Sequence, residues 1–144
     1  MAPRPPSSYL KGDPRVERLF ADARGEERVY FHRLGYFPIM HVVALKAEVD
    51  ERHPWLAPAL LLAFQRAKEE IVRRYESDPA WSLLAWGRQL LDDERRELAP
   101  DVWPSGLQAN RSNLERFIQY AHEQGVIQSP ISVEELFTAS TRST

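Results

Sequence analysis

Residues 36–46 read YFPIMHVVALK, and they form the most apolar stretch of a chain of 144 residues. Pro38 disfavours helical geometry at the residue that precedes it. Alternate residues of a strand here would lie on two faces, Ile39, His41, Val43 and Leu45 on one and Met40, Val42 and Ala44 on the other. Both faces are apolar apart from His41. The pattern therefore predicts a strand that is covered on both sides, as in a parallel or mixed α/β sheet.

This predicted strand has no obvious partner in the sequence, because no second run of comparable quality occurs. A strand without neighbours leaves its backbone donors and acceptors unpaired. The pattern therefore favours the C-terminal part of a larger α/β protein whose other strands lie elsewhere. The alternative is a strand that pairs with a second copy across a dimer.

The remaining sequence divides into a Pro-rich loop or arm at residues 1–12 and a mostly helical portion at residues 13–144. Helices are predicted for RVERLF after Asp13 and Pro14, for EERVYFHRLG ending at Gly35, for an amphipathic stretch from Pro54 through Tyr75 that ends near Ser77, for residues 81–98, and for a segment that Asn110 or Ser112 caps and Gly125 ends. ISVEELF at 131–137 is predicted to be a short capped turn. The expected fold class is α/β, predominantly helical, with one or few strands.

Composition excludes several classes of function. The net charge of -2, without a basic block, argues against nucleic acid as a partner. The absence of cysteine excludes disulfides and thiolate zinc sites, and position 126 is valine, so the pair His122–Glu123 does not complete a metalloprotease motif. We expect neither metal nor cofactor. No secretory signal or membrane-spanning run is present, which predicts a cytoplasmic protein without membrane insertion.

Six short motifs follow one another along the chain: APRPPS at 2–7, FPIMH at 37–41, ERHPW at 51–55, WPSGLQANR at 103–111, YAHEQG at 120–125 and EELF at 134–137. In order and approximate spacing they resemble the C-terminal part of the 4,5-dihydroxyphthalate decarboxylase family and of related ABC-transporter-type substrate-binding proteins. Ser105, Gln108 and Ala121 depart from the family pattern. The resemblance implies a type II periplasmic-binding-protein fold, with two α/β lobes around a ligand cleft.

The family's reaction, as the resemblance implies it, is loss of carbon dioxide from 4,5-dihydroxyphthalate to give protocatechuate. Such chemistry needs a cationic clamp for the carboxylates and an acid that protonates the ring carbon. Arg4 is the candidate clamp, and the alternative is a solvent-facing arginine on an arm. Ser7 and Ser8 are candidate hydroxyl donors or ordinary turn residues. His41 is the candidate acid or a core histidine bonded to a carbonyl, and Trp103 is a candidate cleft-lining residue or a packing residue.

Three functions from different classes remain at this stage. The first is a carboxy-lyase, here as a truncated portion that is inactive alone. The second is a non-catalytic ABC-transporter-type protein that binds a small anionic ligand, and the third is a helical interaction protein that dimerises. The expected partners are a small anionic aromatic ligand and either a second copy or a missing N-terminal portion.

Overall fold

The computed structural model describes residues 5–78 and 83–144. Its α-helices are α1 (Ser7–Leu10), α2 (Ala23–Leu34), α3 (Ala47–Arg52), α4 (Leu56–Ser77), α5 (Gly87–Glu97) and α6 (Leu107–Glu123), followed by two 3₁₀ helices, Val133–Leu136 and Ala139–Thr141. These two described ranges contain no strand and no sheet. The predicted α/β class, and with it the type II periplasmic-binding-protein fold, is therefore wrong for this chain.

The segment predicted to be a strand has irregular backbone from 37 to 46, between α2 and α3. Met40, Val42 and Val43 are each more than 60% exposed. A strand is stable only when neighbouring strands pair with its backbone, and no such neighbour exists among the described residues. The apolar alternation was present, but it could not produce a strand without a partner.

Several helix boundaries follow from the chemistry of single residues. Helix α2 begins where the Asp22 side chain accepts a hydrogen bond from the Gly25 backbone, and it ends at Gly35, whose φ of 78° suits glycine. That end confirms the prediction, as does the end of α6 beside Gly125. The helix predicted for RVERLF is wrong, because residues 15–20 are irregular.

Helix α6 begins at Leu107, three residues before the earliest predicted cap. The amide of Asn110 donates to the carbonyls of Pro104 and Gly106, at 2.7 and 2.9 Å. Asn110 therefore lies inside the first turn and holds the preceding loop, whereas a cap would lie at the helix boundary. The helical pattern of the sequence predicted α6, and the side-chain hydrogen bonds of Asn110 help to set its first residue.

The core is small and belongs mainly to α6. Leu107, Leu114 and Ile118 pack with Val133 of the first 3₁₀ helix, and Ile39, Ile127 and Phe137 cover the edge of this group. The first 3₁₀ helix begins with a capping box between Ser132 and Glu135, which confirms the predicted capped turn. An ion pair of 2.6 Å joins Arg111 of α6 to Glu134 of the 3₁₀ helix. The C-terminal third is thus the best-packed part of the chain.

The rest of the chain is much more open. The accessible surface is 11,633 Å², whereas a compact monomer of 16.7 kDa has roughly 7,600 Å². Helix α4, although it has 22 residues, buries none of them. In the part of the chain that the structure describes, no helix is long and apolar enough to cross a membrane.

Candidate functional site

Three tyrosines and two arginines gather between α2 and α6, and we call them the tyrosine–arginine cluster: Tyr30, Arg33, Tyr36, Arg116 and Tyr120. Tyr30 and Arg33 are three residues apart on α2, and Arg116 and Tyr120 are four apart on α6, so each pair shares a helix face. The guanidinium carbon of Arg33 lies 6.0 Å from the Tyr30 ring centroid, and that of Arg116 lies 6.0 Å from the Tyr120 ring centroid. Both contacts have cation–π spacing.

A buried asparagine brings the two helices together at this cluster. The side-chain amide of Asn113 donates to the backbone carbonyl of Phe37 at 2.7 Å, and Asn113 is 6% exposed. Arg116 and Tyr120 follow Asn113 on the same face of α6, three and seven residues further along. The bond that holds Phe37 therefore places the neighbouring Tyr36 next to Arg116.

The electrostatics of the cluster agree with this placement. The hydroxyl of Tyr120, and after it that of Tyr36, raises the pKa of Arg116. Burial raises the pKa of Tyr30, and nearby Tyr36 and Tyr120 add to that effect, while the two arginines oppose it. The Tyr36 hydroxyl is itself buried and has no hydrogen-bond partner among the described residues. Tyr36 therefore lies close enough to Arg116 to interact with its guanidinium.

Neither arginine of the cluster has a carboxylate partner in the part of the chain that the structure describes. Within 5–78 and 83–144, neither Arg33 nor Arg116 forms an ion pair, although most other arginines of the helices do. Two guanidinium groups and three tyrosine side chains therefore influence one another electrostatically near the end of α2 and the second half of α6. Guanidinium groups match carboxylates, and phenol rings supply apolar contact beside hydroxyl donors.

A cleft of about 330 Å³ lies between α2 and α5, and it has the opposite electrostatic character. Its lining includes Arg24 and Arg28, but both pair with Glu97, at 3.1 and 3.6 Å. Glu27 and Glu94 add two more carboxylates to the lining. Three carboxylates against two guanidiniums make this cleft unsuitable for an anion, so we regard it as a junction between helices.

The structure locates four of the five site residues that the sequence predicts. Ser7 and Ser8 open α1, and Ser7 is exposed. His41 is exposed in the irregular segment, so it is not the buried core histidine of the alternative interpretation. The ring of Trp103 contacts that of Phe37 in a tilted arrangement, with the ring centroids 5.6 Å apart, and Trp103 is half exposed.

Arg4, the predicted carboxylate clamp, lies outside the described residues. Among the other four, no hydrogen bond, ion pair or ring contact of the described chain joins one to another. Their roles in catalysis and binding stay predictions. No group of three or more histidine, aspartate or glutamate side chains in the described ranges could hold a metal ion.

The sequence reasoning missed the tyrosine–arginine cluster. Its signal was the spacing of Tyr30 with Arg33 and of Arg116 with Tyr120, each of which puts an aromatic ring and a cation on one helix face. Such pairs are common on solvated helices. These two pairs are of interest only because α6 approaches the end of α2. The residue pattern of a single helix does not predict that approach.

Two motifs of the sequence have structural roles. In WPSGLQANR, Asn110 holds the preceding loop and Arg111 pairs with Glu134 of EELF. In YAHEQG, the backbone amide of Val126 just beyond the motif donates to the Ala121 carbonyl at 2.8 Å and closes the end of α6. These motifs therefore describe the packed C-terminal third, which explains why they occur together.

No protein-family model matches the chain. A curated relative, 4,5-dihydroxyphthalate decarboxylase from Comamonas testosteroni, is 31% identical over 138 residues, which is 95% of this chain and 42% of the relative. The chain thus spans less than half the length of that protein. The similarity supports a relationship to this decarboxylase, whereas a relationship to ABC-transporter-type binding proteins is not shown. Nearly the whole chain is similar to one part of 4,5-dihydroxyphthalate decarboxylase.

Proposed function

We propose that the chain is one part of a carboxy-lyase that removes carbon dioxide from an aromatic dicarboxylate, and that it is inactive alone. The observation that carries this proposal is the 31% identity to 4,5-dihydroxyphthalate decarboxylase across 95% of the chain. The substrate class is that of the relative's name, and the product would be the corresponding aromatic monocarboxylate, protocatechuate for 4,5-dihydroxyphthalate.

The proposed reaction breaks the bond between a ring carbon and its carboxylate. The bonding electrons stay on the ring carbon as carbon dioxide leaves, and a proton must then replace the lost carboxylate. His41 is the proposed proton donor because an imidazole can carry and release a proton and this side chain is exposed to an incoming ligand. Arg4, Ser7, Ser8 and Trp103 are the proposed substrate contacts.

The proposed partner is a polypeptide equivalent to the remainder of the relative, which would precede this portion. More than half of the relative's length lies outside the match. The chain exposes about 4,000 Å² more surface than a compact monomer of its mass. Each partner of an obligate dimer covers only about 1,000–2,500 Å², so a simple contact with a second copy would leave much of this excess uncovered.

The test is to express the chain together with the part of the Comamonas testosteroni decarboxylase that it does not match. We expect the two polypeptides to purify as one complex and to release carbon dioxide from 4,5-dihydroxyphthalate, whereas the 144-residue chain alone does not. The variant His41→Gln should lower turnover by ~100-fold or more, and the matched variant His32→Gln, at an exposed histidine of α2, should leave it unchanged.

Three outcomes would contradict parts of the proposal. Full turnover by the His41→Gln complex would remove the role of that residue. Binding of the dicarboxylate by the complex without turnover would instead favour a non-catalytic binding protein. If the chain forms a stable homodimer and does not bind the second polypeptide, the proposed partner is refuted.

A further inference from the structure

We propose that Lys68 of α4 and Asp101 are positioning residues, which hold Trp103 so that its exposed indole contacts the ring of the aromatic substrate. The substrate contact rests on the proposed function, in which Trp103 is one of the contacts. The positioning is inferred from hydrogen bonds and ring contacts of the described chain. Neither Lys68 nor Asp101 is among the site residues that the sequence predicts.

One ion pair holds both backbone groups of Trp103. The Lys68 ammonium group donates to Oδ2 of Asp101 at 2.7 Å and to the Trp103 carbonyl at 2.9 Å. The other carboxylate oxygen, Oδ1 of Asp101, accepts from the Trp103 backbone amide at 3.0 Å. Trp103 lies in the loop of residues 99–106, between α5 and α6, where no helical hydrogen bonds fix the backbone. The pair therefore ties this loop to α4 at the residue that carries the indole.

The effect of this ion pair is local. The Lys68 and Asp101 side chains are 36% and 50% exposed. Exposed pairs of this kind contribute little to the free energy of unfolding, because water screens the charges and two long side chains lose freedom. Hydrogen bonds from a charged donor are nevertheless stronger than those between neutral groups. What the pair determines is therefore the orientation of the Trp103 backbone, and with it the direction of the side chain.

The inner side of the indole is also fixed. The ring centroids of Trp103 and Phe37 lie 5.6 Å apart, and those of Phe37 and Phe31 lie 5.1 Å apart, both within the range of favourable aromatic pairs. Phe31 is buried, and the Phe37 carbonyl accepts from the Asn113 amide at 2.7 Å. Trp103 itself remains 54% exposed. Because its ring is held before a ligand arrives, little side-chain freedom is lost on binding.

The other two tryptophans that the structure describes lack this arrangement. Trp55 and Trp86 are 64% and 75% exposed, more than Trp103. In the described residues no side chain forms a hydrogen bond with the backbone of either one, whereas Trp103 has such bonds at both its amide and its carbonyl. Exposure alone therefore does not distinguish Trp103. Its fixed backbone does, and an aromatic ring that is fixed in advance suits a planar ligand.

The contact that Trp103 offers is apolar. Asp101 already neutralises the Lys68 ammonium group, so Lys68 does not act as a clamp for a substrate carboxylate. A planar ring can instead contact the indole in an offset or edge arrangement, which changes affinity by about 2- to 12-fold beyond the effect of the buried area. Such a contact forms before the reaction begins, so we expect its loss to raise KM more than it lowers kcat.

The positioning is tested by NMR in the 144-residue chain labelled with ¹⁵N-tryptophan, and the Trp103 signals are assigned by their loss in Trp103→Phe. We expect Lys68→Met and Asp101→Ala to shift these signals, and Asp101→Ala to speed exchange of the Trp103 backbone amide by ~10-fold or more. Asp101→Asn keeps an acceptor oxygen and should retain most of the protection. The matched variant Arg66→Met, at an exposed residue of α4 without an ion pair in the described chain, should leave the Trp103 signals in place.

The substrate contact is tested by kinetics in the complex with the remainder of the decarboxylase. Trp103→Leu should raise KM for 4,5-dihydroxyphthalate by ~10-fold, because the ring contact is lost. Lys68→Met should raise KM by ~3-fold in the parent and have no further effect in Trp103→Leu, because Lys68 acts only through Trp103. A direct contact between Lys68 and the substrate would instead give additive effects. Arg66→Met should leave KM unchanged.

Three outcomes would overturn the inference: unchanged Trp103 signals in both Lys68→Met and Asp101→Ala, an unchanged KM in Trp103→Leu, or additive effects of Lys68→Met and Trp103→Leu. The proposed function can fail separately. Turnover with an unchanged KM in Trp103→Leu refutes the substrate contact and leaves the reaction. If the parent complex has no turnover, its labelled form is titrated with 4,5-dihydroxyphthalate. A shift of the Trp103 signals then refutes the reaction and leaves the contact, whereas unmoved signals refute both.

Discussion

Two leucines inside the two longest helices offer a direct test of where the core lies. Leu114 of α6 is 6% exposed, and Leu62 of α4 is 46% exposed. Leu114→Ala removes three buried carbons, worth about 2.4 kcal/mol at ~0.8 kcal/mol each, and the cavity left behind raises the cost to roughly 3 kcal/mol. Leu62→Ala should cost about 1.3 kcal/mol, because nearly half of that side chain is already in water.

The assay is urea unfolding followed by far-ultraviolet circular dichroism, with the slope of the transition compared between parent and variants. An unchanged slope shows that the variant alters stability and not the compactness of either state. Since the folded chain has a small core, Leu114→Ala can remove the transition altogether, which is the same outcome in a stronger form. Equal destabilisation by the two variants would refute the placement of the core on α6.

Three other predictions concern single contacts. Gly106→Ala should destabilise the chain more than Gly125→Ala when both are compared by thermal unfolding, because both glycines have positive φ but only at position 106 would a Cβ approach another backbone atom to 2.8 Å. Asn113→Ala should cost about 1–3 kcal/mol in urea unfolding and speed amide exchange at 36–46, because it leaves the part-buried carbonyl of Phe37 without its donor. Arg111 lowers the pKa of Glu134, so the stability from this pair is present above the ordinary glutamate pKa and lost as the pH falls through the lowered value; an NMR titration should show the Glu134 pKa rising in Arg111→Gln.

The sequence predicted a helix correctly wherever a single residue marks the end of that helix. Gly35 and Gly125 lie at helix ends as predicted, because glycine adopts positive φ without the steric cost that other residues incur. The helix predicted at residues 15–20 did not form, because a cap and a short pattern do not suffice for a helix that has no face to bury. The predicted strand failed for a related reason, since strand formation depends on partners that a local pattern cannot reveal.

The candidate site was harder to predict from the sequence than the fold. The sequence pointed to His41 and Trp103 through the motifs around them, and their proposed roles await the binding and turnover assays. The tyrosine–arginine cluster arises from a contact between α6 and the residue after α2, made through Asn113 and Phe37. The residues are distant in sequence, so neither spacing nor composition predicts their approach.

The exposed apolar residues of 37–46 and of α4 have one physical explanation. An unfolded chain of this mass exposes about 24,000 Å², so folding to 11,633 Å² buries only about half of that surface, whereas a domain of this length usually buries about 68–70%. Phe64 and Ile71 of α4 are about half exposed, and Met40, Val42 and Val43 of the irregular segment are more than 60% exposed. The sequence therefore has the apolar content of a well-buried chain, while the structure has the surface of an uncovered one. Because local helix formation is satisfied along α4, what is missing is a covering surface, and for that reason the proposed partner polypeptide is central to how this chain would function.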